Sequence, residues 1–320
     1  MTELERLAAA LDAACAEGGV PVLATLAAIL TGSSYREAGA RMVVHPDDSS
    51  TGAISGGCLE KDVVAHAASV RGTLAPKRVA YDLTRDDDAP WALAMGCAAK
   101  LSVLLEPCPG GAPDWLRDVL QRHARRDAVV VEVGERTAVA DDRDGAAGEA
   151  WGAQRSRWSD GVLYQYLPPP IAVVACGEGP DVAPLLALTG QLGWPARGVG
   201  KDEPLGPLDP RTAVIVMTHN YPRDLALLEA LLGSPARYVG LLGPRRRTAR
   251  LLEDLAGRGV HPQPAQLRRL SAPIGLDIGA ESPEEIALAI LAEIRAVFSQ
   301  RGGGRLRERA SPIHERRRRR

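Results

Sequence analysis

The sequence predicts an α/β protein of two domains, the second built on a doubly wound parallel sheet. Three observations predict it. The length of 320 residues suits about two domains at roughly 150 residues each. From Ile171 onward, apolar strand-like runs alternate with helix-period runs, the pattern of a parallel sheet covered on both faces. Gly177-Glu178-Gly179 sits between the first of those strands and a helix, where a dinucleotide fingerprint would sit.

In the first half, residues 3–17 have helical spacing, with Leu4, Leu7, Ala8 and Leu11 on one face and Gly18-Gly19 at the end. PVLATLAAIL (21–30) reads as a buried strand and runs into the loop GSSYREAG (32–39). ARMVVHP (40–46) is a second strand, DDSSTG (47–52) a turn, and AIS (53–55) short and extended. GGCLEKDVVAHAASV (56–70) is a glycine pair opening a helix whose apolar face holds Leu59, Val63, Val64 and Ala67. KRVAYDL (77–83) and KLSVLLEP (100–107) are strands. The polar loop between them ends in a small-residue turn at Gly96-Cys97. DWLRDVLQRHARR (114–126) is a helix, followed by the strand pair AVVVEV (128–133) and RTAVA (136–140). These elements make 1–150 the first domain, 151–168 a charged, glycine-containing linker, 169–299 the second domain and 300–320 a disordered tail.

The second half runs in strand–helix pairs. Ile171–Ala175 is followed by a helix with Val182, Leu185, Leu186 and Leu188 apolar. TAVIVMTHN (212–220) precedes LALLEALLG, and RYVGLLG (237–243) precedes PRRRTARLLEDLAGRG. The last segment is a glycine loop, then a helix whose Ser282, Pro283 and Glu285 fit N-cap, N1 and N3.

Composition excludes several classes. At 45% hydrophobic and 25% charged, the chain is an ordinary globular protein. No apolar run nears the roughly 20 residues of a membrane span, and the N-terminus has no signal-peptide pattern. Five widely spaced cysteines with no C-x-x-C argue against a disulfide framework or zinc site, and for a reducing compartment. The last twenty residues hold nine Arg and two Glu, so the rest of the chain is acidic. An acidic body argues against dedicated nucleic-acid binding, and the tail reads either as a segment for nucleic acid or an acidic partner or as a solvated, dispensable extension.

Candidate site residues fall in both halves. Ser33 and Ser34 offer hydroxyls beside Gly32, and Arg41 opens a strand with a guanidinium suited to clamping a phosphate. Gly56-Gly57 leads to Cys58, whose thiol is either activated by the helix N-terminus, with Glu60 partly offsetting that, or is a buried small hydrophobe. Cys97 has a comparable setting. Gly177 and Gly179 either bind a nucleotide or only make a tight turn. The third glycine of the fingerprint is Val182 here, and the ribose-binding acid expected after the second strand is displaced, since Gly200 and Lys201 come first. Gly243 opens a helix with Arg245, Arg246 and Arg247 in its first turn, either an anion site or one paired arginine with two solvated ones. His219, Asn220 and Asp277 fall where strand ends and loops would border the same crevice, with a capping or packing role the alternative for His219.

Several of these stretches together resemble the XdhC/CoxI family of xanthine dehydrogenase accessory proteins, up to about Val297. They are GSSYREAGARM and GAISGGCLEKDV in the first half, and GEGPDVAPLLALTGQLGW, MTHNYPRDLALLEALL, YVGLLGPRRRTARLL and PIGLDIGAESPEEIALAILAEI in the second. The resemblance implies a family-specific N-terminal domain, a Rossmann-like C-terminal domain and a homodimer. It implies a cytoplasmic chaperone that binds the molybdenum cofactor (molybdopterin or its dinucleotide form), holds it for sulfuration by a cysteine desulfurase, and delivers it to an apo molybdenum hydroxylase. Under it, Cys58 would meet molybdenum or its sulfur ligand, with Cys97 a second thiol. Ser33, Ser34 and Arg41 would hold pterin or phosphate; Gly177, Gly179 and Arg245 would hold a nucleotide or phosphate portion. An NAD(P)-dependent oxidoreductase or a nucleotide-binding scaffold is the alternative. The former lacks a ribose acid and a proton donor, so NAD(P) is not expected. The sequence departs from the family pattern at Cys97-Ala98-Ala99, at Cys176 and Glu178 around the glycine turn, and at Val199-Gly200.

Overall fold

The computed structural model describes residues 1–57, 59–84 and 99–310. These form two compact units, divided at Pro169/Pro170, with Met1–Thr2 grouped with the second.

The first unit contains α1 (Glu3–Ala16), β1 (Val22–Thr31), β2 (Arg41–Val44), β3 (Ser50–Gly52), α2 (Glu60–Thr73), β4 (Lys77–Asp82), β5 (Lys100–Pro107) and α3 (Asp114–Ala124). Its five strands form an antiparallel sheet in the order β3-β2-β1-β5-β4. The near-continuous apolar run of β1 follows from burial on both faces, which removes the usual in–out alternation. Val22, Ala24 and Leu26 pack with Val63, Ala67 and Val70 of α2. Leu23, one step out of phase, packs on the opposite face with Leu7 and Leu11 of α1 and Trp115 and Leu116 of α3.

The expected linker 151–168 is instead folded. Residues 141–169 carry α4 (Gly145–Ala153), β8 (Arg157–Ser159) and β9 (Val162–Leu167). With β6 (Val129–Val133) and β7 (Thr137–Val139), the strands form a second antiparallel sheet, β7-β6-β9-β8. The aromatics explain the difference: Trp151 and Tyr166 meet edge to face over a small alanine cluster, a core too poor in large aliphatics to show in a hydrophobic pattern. A smaller correction is β3, which takes half of the expected turn 47–52, while 53–55 is not a strand.

The second unit contains β10 (Ala172–Cys176), α5 (Val182–Gln191), β11 (Ala196–Val199), β12 (Thr212–Val216), α6 (Tyr221–Leu232), β13 (Tyr238–Leu241), α7 (Arg245–Gly257), α8 (Pro264–Leu267), β14 (Leu270–Ser271) and α9 (Pro283–Phe298). Its sheet is wholly parallel in the order β11-β10-β12-β13-β14. Strand residues of one parity pack with α5 and α9, and those of the other with α6 and α7, so the sheet is doubly wound as expected. The capping box at Ser282 and Glu285 starts α9 as the sequence predicts. Of the expected tail, the described residues 301–310 include a 3-10 turn at Leu306–Glu308, held in part by an Arg305–Glu308 pair. No described helix is long and apolar enough to cross a membrane.

Candidate ligand-binding sites

In the first unit, the loop after β1 and the turn before α2 lie together. Gly32 and Gly57 take the left-handed backbone that favours glycine, at φ +74° and +104°. A Cβ on Gly56 would lie 3.7 Å from the Tyr35 side chain, so the two segments approach each other at that pair. Ser33 is exposed and Ser34 half-buried in the same loop. Nearby, a cavity of about 260 Å³ is lined by Arg36 and Glu3, paired at 2.5 Å, together with Arg6, Thr51 and Gly52.

The turn before α2 is organised by one carboxylate. Glu60 accepts from Ser55 N at 2.8 Å, Ser55 Oγ at 2.5 Å and Leu59 N at 3.1 Å. Burial pushes its carboxyl up, but the Ser55 side-chain and backbone hydrogen bonds outweigh that and hold it below the ordinary glutamate value. An ionised Glu60 therefore offsets the positive end of α2, which starts at Glu60 itself. Cys58 and Cys97 lie outside the described residues. Among the described residues, no group of three or more His, Cys, Asp or Glu side chains could hold a metal.

Arg41 does not serve as a phosphate clamp in this structure. Its side chain is 2% exposed, stacked 4.8 Å from the Trp115 ring centroid and bonded to Gly39 O at 2.9 Å. Burial lowers its pKa to about 10 despite Glu106 and Glu3. Its side chain belongs to the face of the sheet covered by α1 and α3, which strand parity alone could have shown from Val43 and Leu23.

In the second unit, the glycine turn after β10 and the end of β12 come together. A Cβ on Gly177 would collide with Met217 O, and one on Gly179 would lie 3.3 Å from the His219 ring. His219 has φ +55°, uncommon for a non-glycine residue, and its Nε2 lies 3.6 Å from Asp181. Asn220 is the N-cap of α6, its side chain accepting from Arg223 N at 3.1 Å, which is a structural task. Cys176, beneath the turn, is fully buried, and burial raises its thiol to about 11. Glu178 reaches across to the loop after β11 and accepts from Lys201 N at 2.9 Å.

The three arginines of α7 separate. Arg245 and Arg246 are exposed, while Arg247 pairs with Asp224 at 2.5 Å. Asp224 is 1% exposed and also accepts from Thr218 Oγ1, so the pair ties the turn after β13 to α6 and the end of β12. A carboxylate within the apolar run of α6 was the sequence signal for this partner. Asp277 is exposed in the loop before α9. That loop is anchored by Glu293, which accepts from Gly275 N at 2.9 Å and from the buried Tyr238 hydroxyl.

An antiparallel α/β unit with a clamped glycine turn, followed by a wholly parallel doubly wound unit with a second glycine turn, defines a two-unit protein with a Rossmann-type half. Residues 14–82 match the XdhC and CoxI family, and residues 173–294 match the XdhC Rossmann domain. The chain belongs to the XdhC/CoxI family. It is 28% identical to a probable xanthine dehydrogenase subunit of Bacillus subtilis, over 89% of this chain and 95% of that protein. It is 25% identical to the molybdenum cofactor insertion chaperone PaoD of Escherichia coli, over 86% of this chain and 83% of that protein. A crystal structure described as a xanthine dehydrogenase from Bacillus halodurans superposes with a TM-score of 0.73 at 27% identity, covering 94% and 97% of the two chains.

Proposed function

We propose that this protein is a maturation factor for a molybdenum hydroxylase of the xanthine dehydrogenase type. It binds the molybdenum cofactor as cargo, holds it for sulfuration by a cysteine desulfurase, and delivers it to the apo-enzyme as a homodimer. The observation that carries this reading is similarity across both units to a molybdenum cofactor insertion chaperone, over 86% of the chain. The Bacillus subtilis relative, named for xanthine dehydrogenase, supports the client class.

The cargo would be held in the first unit. Its two glycine-containing loops carry the exposed Ser33, Gly56 and Gly57 and the half-buried Ser34, in the unit whose cavity is lined by Arg36 and its partner Glu3, and hydroxyls and a guanidinium suit a pterin and its phosphate. Ser33, Ser34, Gly56 and Gly57 would hold the cofactor, and Cys58, with Cys97, would supply soft thiolate contact to molybdenum or its sulfur ligand. The test is incubation of the purified protein with molybdopterin, followed by gel filtration. Wild type retains the cofactor stoichiometrically and Cys58→Ala loses it. Failure of the wild type to retain it would overturn the reading.

A further inference from the structure

We infer that Glu178 is a specificity determinant of the second unit: its carboxylate occupies the anion seat between the glycine turn and the end of β11, and so excludes nucleotide phosphates from that crevice. In a doubly wound sheet, a dinucleotide places its diphosphate on the glycine turn and its ribose near the end of the next strand. Here those two places are joined by the chain itself. Glu178, the middle residue of the turn, accepts from Lys201 N at 2.9 Å, and Glu203 accepts from the adjacent Gly200 N at 2.9 Å. Two consecutive backbone N–H groups are thus already taken by carboxylates. Such paired donors otherwise form an anion-binding concavity.

The neighbouring groups reinforce the exclusion. Arg223 Nη2 donates to Val199 O at 3.2 Å and to Gly200 O, backbone carbonyls of the same strand end. Asp181 stands at the N-cap of α5, where a diphosphate would meet the helix, and faces His219 rather than capping a backbone N–H. Gly200 is approached closely by the Glu178 carboxylate: a Cβ there would lie 2.8 Å from Glu178 Oε1, which would have to shift. A ligand anion at the turn would have to displace Glu178 and also meet the charge of Asp181. The carboxylate displaced to Glu203 after β11 and the carboxylate of Glu178 in the turn both bond the loop's own backbone N–H groups.

Cargo binding in the first unit does not depend on this closure. The test is calorimetric titration of the full chain with ADP. Wild type gives no saturable binding attributable to the second unit. Glu178→Ala gains affinity by about tenfold or more. Glu178→Gln, which keeps the size and an acceptor but drops the charge, gains in the same direction by less. Circular dichroism confirms that both variants are folded. Saturable ADP binding by wild type that Glu178→Ala weakens or leaves unchanged would overturn the inference, as would two folded variants that gain nothing. Cofactor retention by Glu178→Ala, measured in parallel, separates this outcome from failure of the chaperone reading.

Discussion

The two glycine turns of this protein look alike in sequence and differ in what their carboxylates do. Before α2, Glu60 bonds Ser55 and Leu59, residues of its own turn. After β10, Glu178 bonds Lys201, more than twenty residues away on the far side of a crevice. The first arrangement stiffens a loop and leaves its outer surface exposed at Gly56 and Gly57. The second spans the place a ligand would enter. A carboxylate near a glycine turn therefore carries opposite meanings depending on whether its acceptor bonds are local or cross the strand ends. The unit with the nucleotide-type fold is the one closed to anions, and the unit with the less familiar fold keeps its loop accessible.

Substitutions should probe the two units unequally. The largest effect is expected from Asp224→Ala, which leaves Arg247 without its buried partner behind the second crevice. Loss of one member of a buried pair costs about 3–5 kcal/mol, read as a lower urea midpoint for the second unit. Next is Glu60→Gln, which weakens three hydrogen bonds to an ionised group. Hydrogen bonds to charged groups are worth about 1.5–3 kcal/mol, and partial exposure places this one at the lower end.

The same residue sets a pH dependence. A folded-state carboxyl held below the unfolded value of about 4.3 contributes stability in full above that pH and loses it as pH falls through the folded value. Urea midpoints measured from neutral pH down into this range should fall in wild type, and Glu60→Gln should remove that part of the slope. A smaller effect, about 1 kcal/mol, is expected for Ser282→Ala at the cap of α9. The smallest is Arg41→Met. Arg41 Nε and Nη2 are buried without hydrogen-bond partners, so an apolar replacement of similar length should leave stability unchanged or raise it. Cofactor retention should not change, because the guanidinium does not reach the loop surface. A loss of retention in a folded Arg41→Met protein would restore the phosphate-clamp role.

Much of the fold is legible in the sequence. Continuous apolar runs alternating with period-3.6 runs mark the parallel half, and Ser282-Pro283-x-Glu285 marks a helix start to the residue. The second antiparallel sheet is not legible, because α4, β8 and β9 bury alanines and the edges of aromatics rather than a periodic aliphatic stripe. For the sites, residue type identifies the two glycine turns but not the direction of each side chain. Arg41 has the chemistry of a clamp, yet strand parity turns it inward. Arg245 has the right place in its helix, yet Arg247, two residues on, faces the buried Asp224. Glu178 is visible as a departure from the family pattern, but only the Lys201 contact shows that it spans the crevice.

The molybdenum content of protein loaded with cofactor and desalted, compared among wild type, Cys58→Ala and Glu178→Ala, assigns the cargo to one unit or the other. Stoichiometric molybdenum in wild type, its loss in Cys58→Ala and its full retention in Glu178→Ala are expected if the first unit holds the cargo and the second unit's crevice is closed. Absence of molybdenum from wild type, or retention that survives Cys58→Ala and fails in Glu178→Ala, would contradict that division of labour.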